Sequence, residues 1–461
     1  MNDDPRAPGP ITGGVDARTE ALLRRLVRRE AGTAVKKLLA RYRPQDIAAA
    51  MEHLTFAEQR QLYRSIDDKE LAAALLTHLS SAAVREVTRD MSQDAVVDLL
   101  ERIEPDDATD IVADLPAPLR EKVIEELEDD RTGEEVRTLL AWPRESAGGR
   151  MSTQVFKVPS GSTCGQAIAE VQDKHEQFGA IYYVYVVDPL DRLLGVASLR
   201  NLLTHAPRIP VDRVMTRDPI AVQPDQDQEE VARIVARYDL VAVPVIDDGR
   251  RLLGIVTVDD VVDVIREEAA EDMMLMAGVS DPLRDRSVWR QAAYRAGWLF
   301  ATVVGGLVAS EIVGAFSDVL RKTALLAGFV PVIMGSGGNA GIQSATLAVR
   351  GLATGKVQVG GAVRFVLGEA RIGVLLGTWF AVVLGAFGWL RHPEQPLVAL
   401  SVAVSVACAM VLATLVGASL PVALQRSGVD PAIATGPFVT TGVDVISILI
   451  YLNVARWLLG A

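Results

Sequence analysis

The sequence has few of the features that mark an enzyme or a disulfide-stabilised protein. Its 461 residues include two cysteines, Cys164 and Cys408, which lie in different halves and indicate no disulfide framework. The chain carries no nucleophile-and-base pattern, no phosphate-binding glycine loop and no zinc-ligand spacing. Its first residues, MNDDPRAPGP, are polar, so we expect no signal peptide and a soluble half in the cytoplasm. We therefore expect a protein that is not an enzyme.

Negative charge outnumbers positive charge in the first 289 residues, which contain 36 Lys and Arg against 53 Asp and Glu. From Arg290 onward the corresponding counts are 11 and 6, and Leu, Val, Ala and Gly dominate. An acidic cytoplasmic half argues against nucleic acid and anionic lipid as partners, and it suits cations. The alternative is that the acidity only keeps the chain soluble. The change in composition predicts a large soluble half followed by a membrane half.

A repeat of 12 or 13 residues runs through the first part of the soluble half. The apolar residues that mark it are Leu54, Ile66, Leu79, Met91, Ile103, Leu115 and Leu127. Several of them precede residues that favour a helix start, such as Ser92. A unit of 12 residues holds one short helix and one turn, so successive helices must stack to bury their apolar faces. The period predicts a small α-helical solenoid with a scaffolding or regulatory role.

A second repeat lies between residues 151 and 265. VYVVD at 184–188 matches VPVID at 243–247, and RLLGVAS at 192–198 matches RLLGIVT at 251–257, both with an offset of 59 residues. Each copy has the pattern of a helix, an apolar strand, a turn, a strand and a helix. This α+β pattern resembles a tandem pair of cystathionine-β-synthase (CBS) domains, which form a cleft able to hold adenine nucleotides.

Nucleotide binding by this pair would use the hydroxyl at a strand end and the carboxylate at the next helix start, which can grip a ribose and a phosphate. The second copy has Thr257 and Asp260 at these positions, whereas the first has Ser198 and Asn201 and so lacks one carboxylate. Tyr183 is a further candidate contact. The alternatives are ATP binding at these residues and a purely structural pair.

The helix predicted after the second copy connects it to the membrane half and is densely acidic. Like charges at this density repel one another, and a divalent ion would relieve the repulsion; the alternative is a solvated face. The acidic residues are Asp260, Asp263, Glu267, Glu268, Glu271 and Asp272.

Five apolar stretches follow, each reaching the roughly 20 residues that span hydrocarbon. They cover about 296–316, 323–349, 365–390, 396–424 and 431–455. With the amino-terminal half inside, an odd number of spans places the carboxyl terminus outside. Glu311, Glu369 and Arg371 lie nearer span ends, where we expect snorkelling or pairing.

The last span contains the most informative charge. Asp430 is predicted to cap the helix, with Pro431 at its first position. Asp444 is fourteen residues in, near mid-membrane, where an aspartate costs on the order of 3 kcal/mol and should face protein or water. The alternative for Asp444 is a buried structural hydrogen bond.

The second span has an unusually polar and thin centre, PVIMGSGGNAGIQSATLAV at 331–349. Asn339 is predicted at a depth comparable to that of Asp444. The span's glycines leave bare backbone, which allows either close helix packing or a bare pore wall. These glycines are Gly335, Gly337, Gly338 and Gly341.

Taken together, these features resemble the MgtE family of magnesium channels. The motifs that carry the resemblance are WPRESAGGRMST at 142–153, GGNAGIQS at 337–344 and DPAIATGPFVTTGVD at 430–444. The match runs from about residue 20 to the end. Ser336 departs from the family, in which many relatives carry Met, and this departure bears on pore width.

The resemblance implies a mixed fold: an α-helical solenoid, an α+β tandem CBS pair, a connecting helix and an all-α polytopic membrane domain with five transmembrane helices. The implied segments are a disordered tail 1–19, the solenoid 20–141, the CBS domains 142–206 and 207–266, the connecting (plug) helix 262–290 and the pore domain 291–461.

The resemblance also implies a homodimer in the cell inner membrane, with a pore on the twofold axis lined by spans two and five. Asp444, Asn339 and Gly338 would then hold Mg²⁺, which keeps its waters and takes few direct protein ligands. Mg²⁺ bound between the acidic cytoplasmic domains would close the pore. The matching regulatory candidates are Asp106, Asp110, Glu229, Asp239, Asp260, Asp263, Glu271 and Asp272.

Other functions remain open from the sequence. One is a Mn²⁺ or Co²⁺ transporter of the same architecture, and another is a membrane-anchored CBS sensor that does not conduct. Some chloride channels also carry CBS pairs, but they have more spans and place the pair after the membrane part. Anion selectivity would also require a positive pore, which Asp444 contradicts.

Overall fold

The computed structural model describes residues 17–29, 32–127, 131–174, 178, 181–279, 288–357 and 359–460. The chain divides into two compact units, Met1–Arg266 and Glu267–Ala461, and each is described by itself. Of the predicted tail 1–19, residues 1–16 lie outside the described residues.

The first unit opens with a stack of short helices in which, from the third helix onward, each packs against the next but one along the chain, for example the third on the fifth and the sixth on the eighth. They are α1 (Ala17–Arg28), α2 (Gly32–Leu39), α3 (Pro44–Glu52), α4 (Phe56–Arg64), α5 (Lys69–Leu76), α6 (Ser81–Thr88), α7 (Gln93–Leu100), α8 (Pro105–Asp114), α9 (Ala117–Glu126) and α10 (Arg131–Leu140). This packing confirms the helical solenoid.

The residues of the 12-residue period lie just after each helix and turn back into a shared core. Leu54, Leu79 and Leu115 are buried there, and Ile66 and Met91 pack against the same core. In each case the backbone N–H donates to a carbonyl three residues earlier, which closes the helix end. The period therefore marks the helix ends, where one apolar side chain per unit packs against the core of the stack.

The helix starts have side-chain caps where the sequence offers them. Thr55 and Glu58 form a capping box at α4, in which each side chain accepts a hydrogen bond from the other residue's backbone N–H. Asp68 caps α5 and Ser92 caps α7, each through a side chain that accepts hydrogen bonds from backbone N–H groups of the first turn. These caps satisfy amide groups that a helix of about two turns would otherwise leave unpaired.

Two copies of one α+β unit follow the solenoid. The elements, in chain order, are α11 (Ala147–Arg150), β1 (Lys157–Pro159), α12 (Cys164–Lys174), β2 (Tyr183–Val187), β3 (Leu193–Ser198), α13 (Leu199–Thr204), β4 (Thr216–Arg217), α14 (Gln228–Tyr238), β5 (Ala242–Ile246) and β6 (Leu252–Thr257). Strands β1 to β4 form one sheet in sequence order, and β5 pairs with β6.

The offset of 59 residues is preserved in strand register. Tyr183 pairs with Ser198 in the first copy, and Ala242 pairs with Thr257 at the equivalent antiparallel position in the second. Both pairs of strands carry a register shift at the same point, after Val186 and after Val245. The equal registers confirm the tandem pair, because a slip of one residue would turn the apolar faces outward.

The connecting helix is α15 (Val258–Ala277), and the boundary between the two units falls within it. It begins at the residue after β6, and glycine ends it at Gly278, whose φ is +64°. The prediction placed this helix at 262–290, of which residues 280–287 lie outside the described residues.

The second unit contains five helices long and apolar enough to cross a membrane. They are α16 (Val288–Ala315), α18 (Leu325–Ala353), α19 (Ala362–Arg391), α20 (Pro396–Arg426) and α21 (Pro437–Leu459), with the short α17 (Ser317–Lys322) after the first. The prediction of five spans is confirmed.

Helix α20 is the centre of this unit and packs against α18, α19 and α21. At its crossing with α18, an added Cβ on Gly417 would lie 2.2 Å from the carbonyl oxygen of Gly341. On its other side, an added Cβ on Gly373 of α19 would lie 2.2 Å from Thr414 Oγ1. The bare backbones thus let three helices approach closely at one level.

The start of the last span differs from the prediction of one helix from Pro431. Residues Pro431–Thr435 form a 3₁₀ helix capped by Asp430, and α21 begins only at Pro437. Gly436 between them is not helical, with φ −78° and ψ −143°. The break has a local cause, because a residue before proline disfavours the α conformation. Asp444 is therefore about two turns into α21.

We expect Gly417→Ala to destabilise the membrane half, because its methyl group would collide with the backbone of α18. A clash of this kind costs about 1–3 kcal/mol. The measurement is the thermal midpoint of the purified full chain in detergent. Gly306→Ala in α16 is the control, since an added Cβ there meets nothing within 4 Å. Equal midpoints for the two variants would contradict the packing described above.

Candidate functional site

Asp444 is the polar centre of the membrane half. The side chain is half-buried, and its Oδ1 atom is buried without a hydrogen-bond partner among the described residues. An added Cβ on Gly338 of α18 would lie 3.0 Å from that oxygen. A carboxylate oxygen of this kind costs free energy unless a cation or water satisfies it. The geometry fits a cation ligand better than a structural hydrogen bond within one chain.

The glycines of α18 bring that helix close to α21. An added Cβ on Gly337 would lie 2.6 Å from Ser447 Oγ, and one on Gly341 would lie 3.0 Å from Val439 Cγ1. For these glycines the structure therefore shows close helix packing, the first of the two uses that the sequence allowed. Gly335 instead has open space beside it. Asn339 lies on an exposed face of α18.

Glu369 of α19 is a second carboxylate inside the helix bundle. It is 6% exposed and accepts a hydrogen bond of 2.7 Å from the Ser344 hydroxyl of α18. We expected this charge to snorkel or pair near a span end; it is buried and bonded to a neutral hydroxyl, whereas Glu311 is exposed. The sequence shows the charge of Glu369 but not its partner, because Ser344 lies 25 residues away on another helix and reaches Glu369 only in the folded bundle.

The soluble half contains a cluster of carboxylates between the solenoid and the start of α15. Burial raises the pKa of Asp106 well above its usual range, and the charges of Asp260, Asp107 and Glu104 raise it further. Asp106 Oδ1 is buried and has no hydrogen-bond partner among the described residues. The structure thus brings together two predicted ligands, Asp106 of α8 and Asp260 of α15.

The same cluster includes carboxylates that the sequence reasoning missed. Burial raises the pKa of Asp107 from 3.8 to about 7, with the charges of Asp260 and Glu104 adding to it. Burial, followed by the charge of Asp259, also raises the pKa of Glu104. The signal in the sequence was the run of acidic residues at 104–107.

Asp260 has a raised pKa of its own. Burial raises it to about 6, against a hydrogen bond of 2.6 Å that the Thr257 hydroxyl donates to Asp260 Oδ2. The charge of Arg150 lowers this pKa in part. Thr257 provides the hydroxyl at the end of the strand, and Asp260 provides the carboxylate at the start of the next helix. Both were expected for the second CBS copy.

Asp110 forms ion pairs with two arginines. Arg144 Nε lies 3.4 Å from Asp110 Oδ1, and Arg150 Nη1 lies 3.4 Å from Asp110 Oδ2. Both arginines belong to the segment WPRESAGGRMST, so this motif anchors the solenoid to the CBS pair. The sequence could not reveal these ion pairs, because they join residues 34 and 40 positions apart.

The remaining regulatory candidates are not gathered in one place. Glu229 pairs with Arg233 within α14, and Asp263 pairs with Arg266 within α15. Asp239 ends α14 in a left-handed conformation, and Glu271 and Asp272 belong to the second unit. Nowhere in the described ranges do three His, Cys, Asp or Glu side chains form a ready metal site.

The nucleotide candidates of the first CBS copy have structural partners. Ser198 caps α13 by accepting a hydrogen bond of 3.1 Å from the Asn201 backbone N–H. Tyr183 packs edge-on against Tyr185, whose hydroxyl is buried without a partner among the described residues. Nucleotide binding at these residues stays a prediction.

The fold defines a multi-pass membrane protein in which a bundle of five candidate membrane helices follows a CBS pair. The family profile described as "divalent cation transporter" matches residues 330–454, the MgtE intracellular N domain matches 42–145, and the CBS domain matches 211–267. The chain is 38% identical to the magnesium transporter MgtE of Thermus thermophilus over 444 residues, which cover 93% of this chain and 96% of that protein. This chain belongs to the MgtE family, which comprises membrane transporters and not enzymes.

A second curated relative agrees with this assignment. The magnesium transporter MgtE of Bacillus subtilis is 34% identical over 321 residues, covering 69% of this chain and 71% of that protein. A crystal structure of the cytosolic domain of the Mg²⁺ channel MgtE in complex with ATP has a TM-score of 0.49 and 32% identity, covering 53% of this chain and 99% of that one.

The acidic cluster predicts a pH-dependent stability. Because the folded-state pKa values of Asp107 and Asp260 are raised above 3.8, to about 7 and about 6, the folded chain binds more protons than the unfolded chain between these limits. Stability should therefore fall as the pH rises from about 4 to 7. Mg²⁺ should restore it mainly above pH 7, where the carboxylates are ionised. The measurement is the midpoint temperature of the first thermal unfolding transition of the full chain in detergent, at each pH with and without Mg²⁺.

The control for this prediction compares two kinds of Asp→Asn change. Asp107→Asn with Asp260→Asn should flatten the pH dependence and weaken the Mg²⁺ effect. Asp248→Asn, in the exposed turn between β5 and β6, should leave both as in the unmodified chain. A midpoint that does not vary with pH in the unmodified chain would show that the cluster is not under electrostatic strain.

Proposed function

We propose that this protein transports Mg²⁺ across the membrane through a path that passes Asp444. The observation that carries the proposal is the buried, unpartnered Oδ1 atom of Asp444 beside the bare backbone of Gly338. Asn339 adds an amide on an exposed face of the same helix. Mg²⁺ gives up its waters reluctantly, and one or two carboxylates with carbonyl or amide oxygens can hold it through that water shell. The magnesium-transporting relatives support the choice of ion.

The path requires a second copy of the chain. One carboxylate is a poor site for a divalent cation, whereas a twofold axis beside α18 and α21 would pair Asp444 with its symmetry mate. Asn339 and Gly335 lie on faces of α18 that are open in a single chain, and so a partner can cover them. We therefore propose a homodimer embedded in the lipid bilayer.

The orientation follows from the order of the helices. A cytoplasmic amino-terminal half places the start of α16 on the inner side, and five spans then place the carboxyl terminus outside. The end of α15 lies against the start of α21, at Gly436. Both α16 and α21 would begin on the inner side, which agrees with this contact.

Mg²⁺ is also proposed as the ion that closes the path. Asp106 and Asp260 face each other with raised pKa values, which means that their ionised forms are held together at a cost. A divalent cation among them would remove that cost by drawing the carboxylates together or by reaching them through its waters. A bias of about 1–3 kcal/mol for each ion is enough for several ions to dominate the equilibrium. The candidates Asp263, Glu271 and Asp272 on α15 would extend this response along the helix.

ATP at the CBS pair is a further ligand that we propose. The hydrogen bond between Thr257 and Asp260 supports it, because a ribose hydroxyl could take the place of Thr257 at that carboxylate. The same carboxylate would then serve the nucleotide and the ion cluster.

The ion path is tested by Asp444→Asn in purified protein reconstituted into liposomes. We expect Mg²⁺ uptake to fall about tenfold or more, since a contact to a charged group contributes about 1.5–3 kcal/mol. Selectivity for Mg²⁺ over Co²⁺ should fall as well. Asp318→Asn, on the exposed side of α17, is the matched control and should transport normally. Unchanged uptake and unchanged Co²⁺ competition in the first variant would remove Asp444 from the path.

The dimer is tested by native mass spectrometry from a detergent that preserves uptake. We expect twice the chain mass of 49.6 kDa. Asn339→Cys should form a disulfide across the twofold axis, while Cys at the exposed position Leu375 of α19 should not. A monomeric mass for protein that still transports would contradict the shared site.

A further inference from the structure

The end of the connecting helix is fixed by a specific glycine motif. The Gly278 backbone N–H donates to the Leu275 carbonyl at 3.0 Å, and the Val279 N–H donates to the Met274 carbonyl at 3.0 Å. Together with the positive φ of Gly278, these two hydrogen bonds form a Schellman motif. The last turn of α15 is therefore ordered and presents a bare, buried glycine to its neighbours.

Trp298 of α16 covers that glycine. An added Cβ on Gly278 would lie 3.3 Å from Trp298 Cγ, so the indole packs directly on the backbone. Within residues 292–300 every side chain is exposed except that of Trp298. The indole also meets Phe438, the second residue of α21, edge-on with ring centroids 5.7 Å apart. One side chain thus contacts both the end of α15 and the start of α21.

The backbone adds a second contact at the same place. An added Cβ on Gly436 would lie 3.4 Å from the Met276 carbonyl oxygen and 3.8 Å from Trp298 Cζ3. The carbonyl end of α15 therefore meets the amino end of α21. The partial negative charge at a helix carboxyl terminus is attracted to the partial positive charge at a helix amino terminus. This arrangement ties the start of α21 to the end of α15.

We propose that Trp298 is a positioning residue that transmits the placement of α15 to the helix carrying Asp444. The inference rests on the proposed closure by Mg²⁺ and adds the residue through which that closure reaches α21. Asp444 is six residues beyond Phe438 on one continuous helix, so a shift of the indole moves its carboxylate. A tryptophan serves this role because its rigid ring fills the space between Gly278, Gly436 and Phe438 at once.

The test compares three variants of the full chain in liposomes, with uptake measured at low and at high internal Mg²⁺. In Trp298→Ala the ratio of the two uptake rates should fall by about fivefold or more, because the coupling is removed. Uptake at low internal Mg²⁺ should stay near that of the unmodified chain. Trp298→Phe should restore much of the ratio. Trp379→Ala is the matched control, since Trp379 of α19 is 68% exposed.

Hydrogen exchange supplies a readout independent of transport. In Trp298→Ala the amides of Gly278 and Val279 should exchange faster, because the indole no longer covers the turn that holds them. Trp379→Ala should leave those amides unchanged. A purely structural role for Trp298 would lower stability without changing the uptake ratio of molecules that transport.

Each result decides the question. If the unmodified chain is inhibited and Trp298→Ala is inhibited equally, the inference is wrong while the proposed function stands. If the unmodified chain is not inhibited by internal Mg²⁺, the proposed closure fails and the inference fails with it. If Trp298→Ala cannot be reconstituted, Phe438→Ala removes the other side of the contact: a reduced ratio supports the inference, and an unchanged ratio overturns it.

Discussion

A carboxylate in an apolar helix bundle is the constraint on which this molecule depends. Asp444 lies on α21 with a buried oxygen that finds no donor among the described residues, although burial without a partner costs free energy. The surrounding sequence does not relieve this cost: α18 faces Asp444 with the bare glycine Gly338. In the proposed function a hydrated divalent cation from outside the chain satisfies this carboxylate.

The soluble unit also holds carboxylates whose ionised forms are unfavourable. There burial raises the pKa values of Asp106, Asp107 and Asp260, and the charge of Asp260 raises those of Asp106 and Asp107 further. Neighbouring carboxylates such as Asp110 have arginine partners, so the strain is confined to part of the acidic surface. In the proposed function both units would respond to Mg²⁺ by the same principle, the membrane half to the transported ion and the soluble half to the regulatory ion.

Much of the fold could be predicted because it repeats. The 12-residue period is seen in the structure as one apolar side chain that packs on the core at each helix end, and the offset of 59 residues is seen as equal strand registers. Asp444 could be singled out for a similar reason, since a charge within an apolar run is visible without any structure. The break at Gly436 was also encoded locally, in the proline that follows it, but the apolar pattern of the span continues across the break and conceals it.

The contacts that join distant segments could not be predicted. The hydrogen bond from Ser344 to Glu369, the ion pairs of Asp110 with Arg144 and Arg150, and the packing of Trp298 depend on helix crossings that no local pattern records. Asp107 was missed because the sequence reasoning chose Asp106 and Asp110 for their i, i+4 spacing on one helix face. Burial and neighbouring charges raise the pKa of Asp107 as well as that of Asp106.

The most direct test is to locate a divalent ion in the membrane half. Mn²⁺ can replace Mg²⁺ at oxygen ligands, and its anomalous scattering identifies it in crystals of the dimer. The account predicts a peak on the twofold axis between two Asp444 carboxylates, farther from their oxygens than the roughly 2.0–2.1 Å of direct Mg²⁺ ligands, because bridging waters intervene. It would be contradicted by Asp444 side chains that turn away from the axis to accept hydrogen bonds from protein donors, with no ion between them.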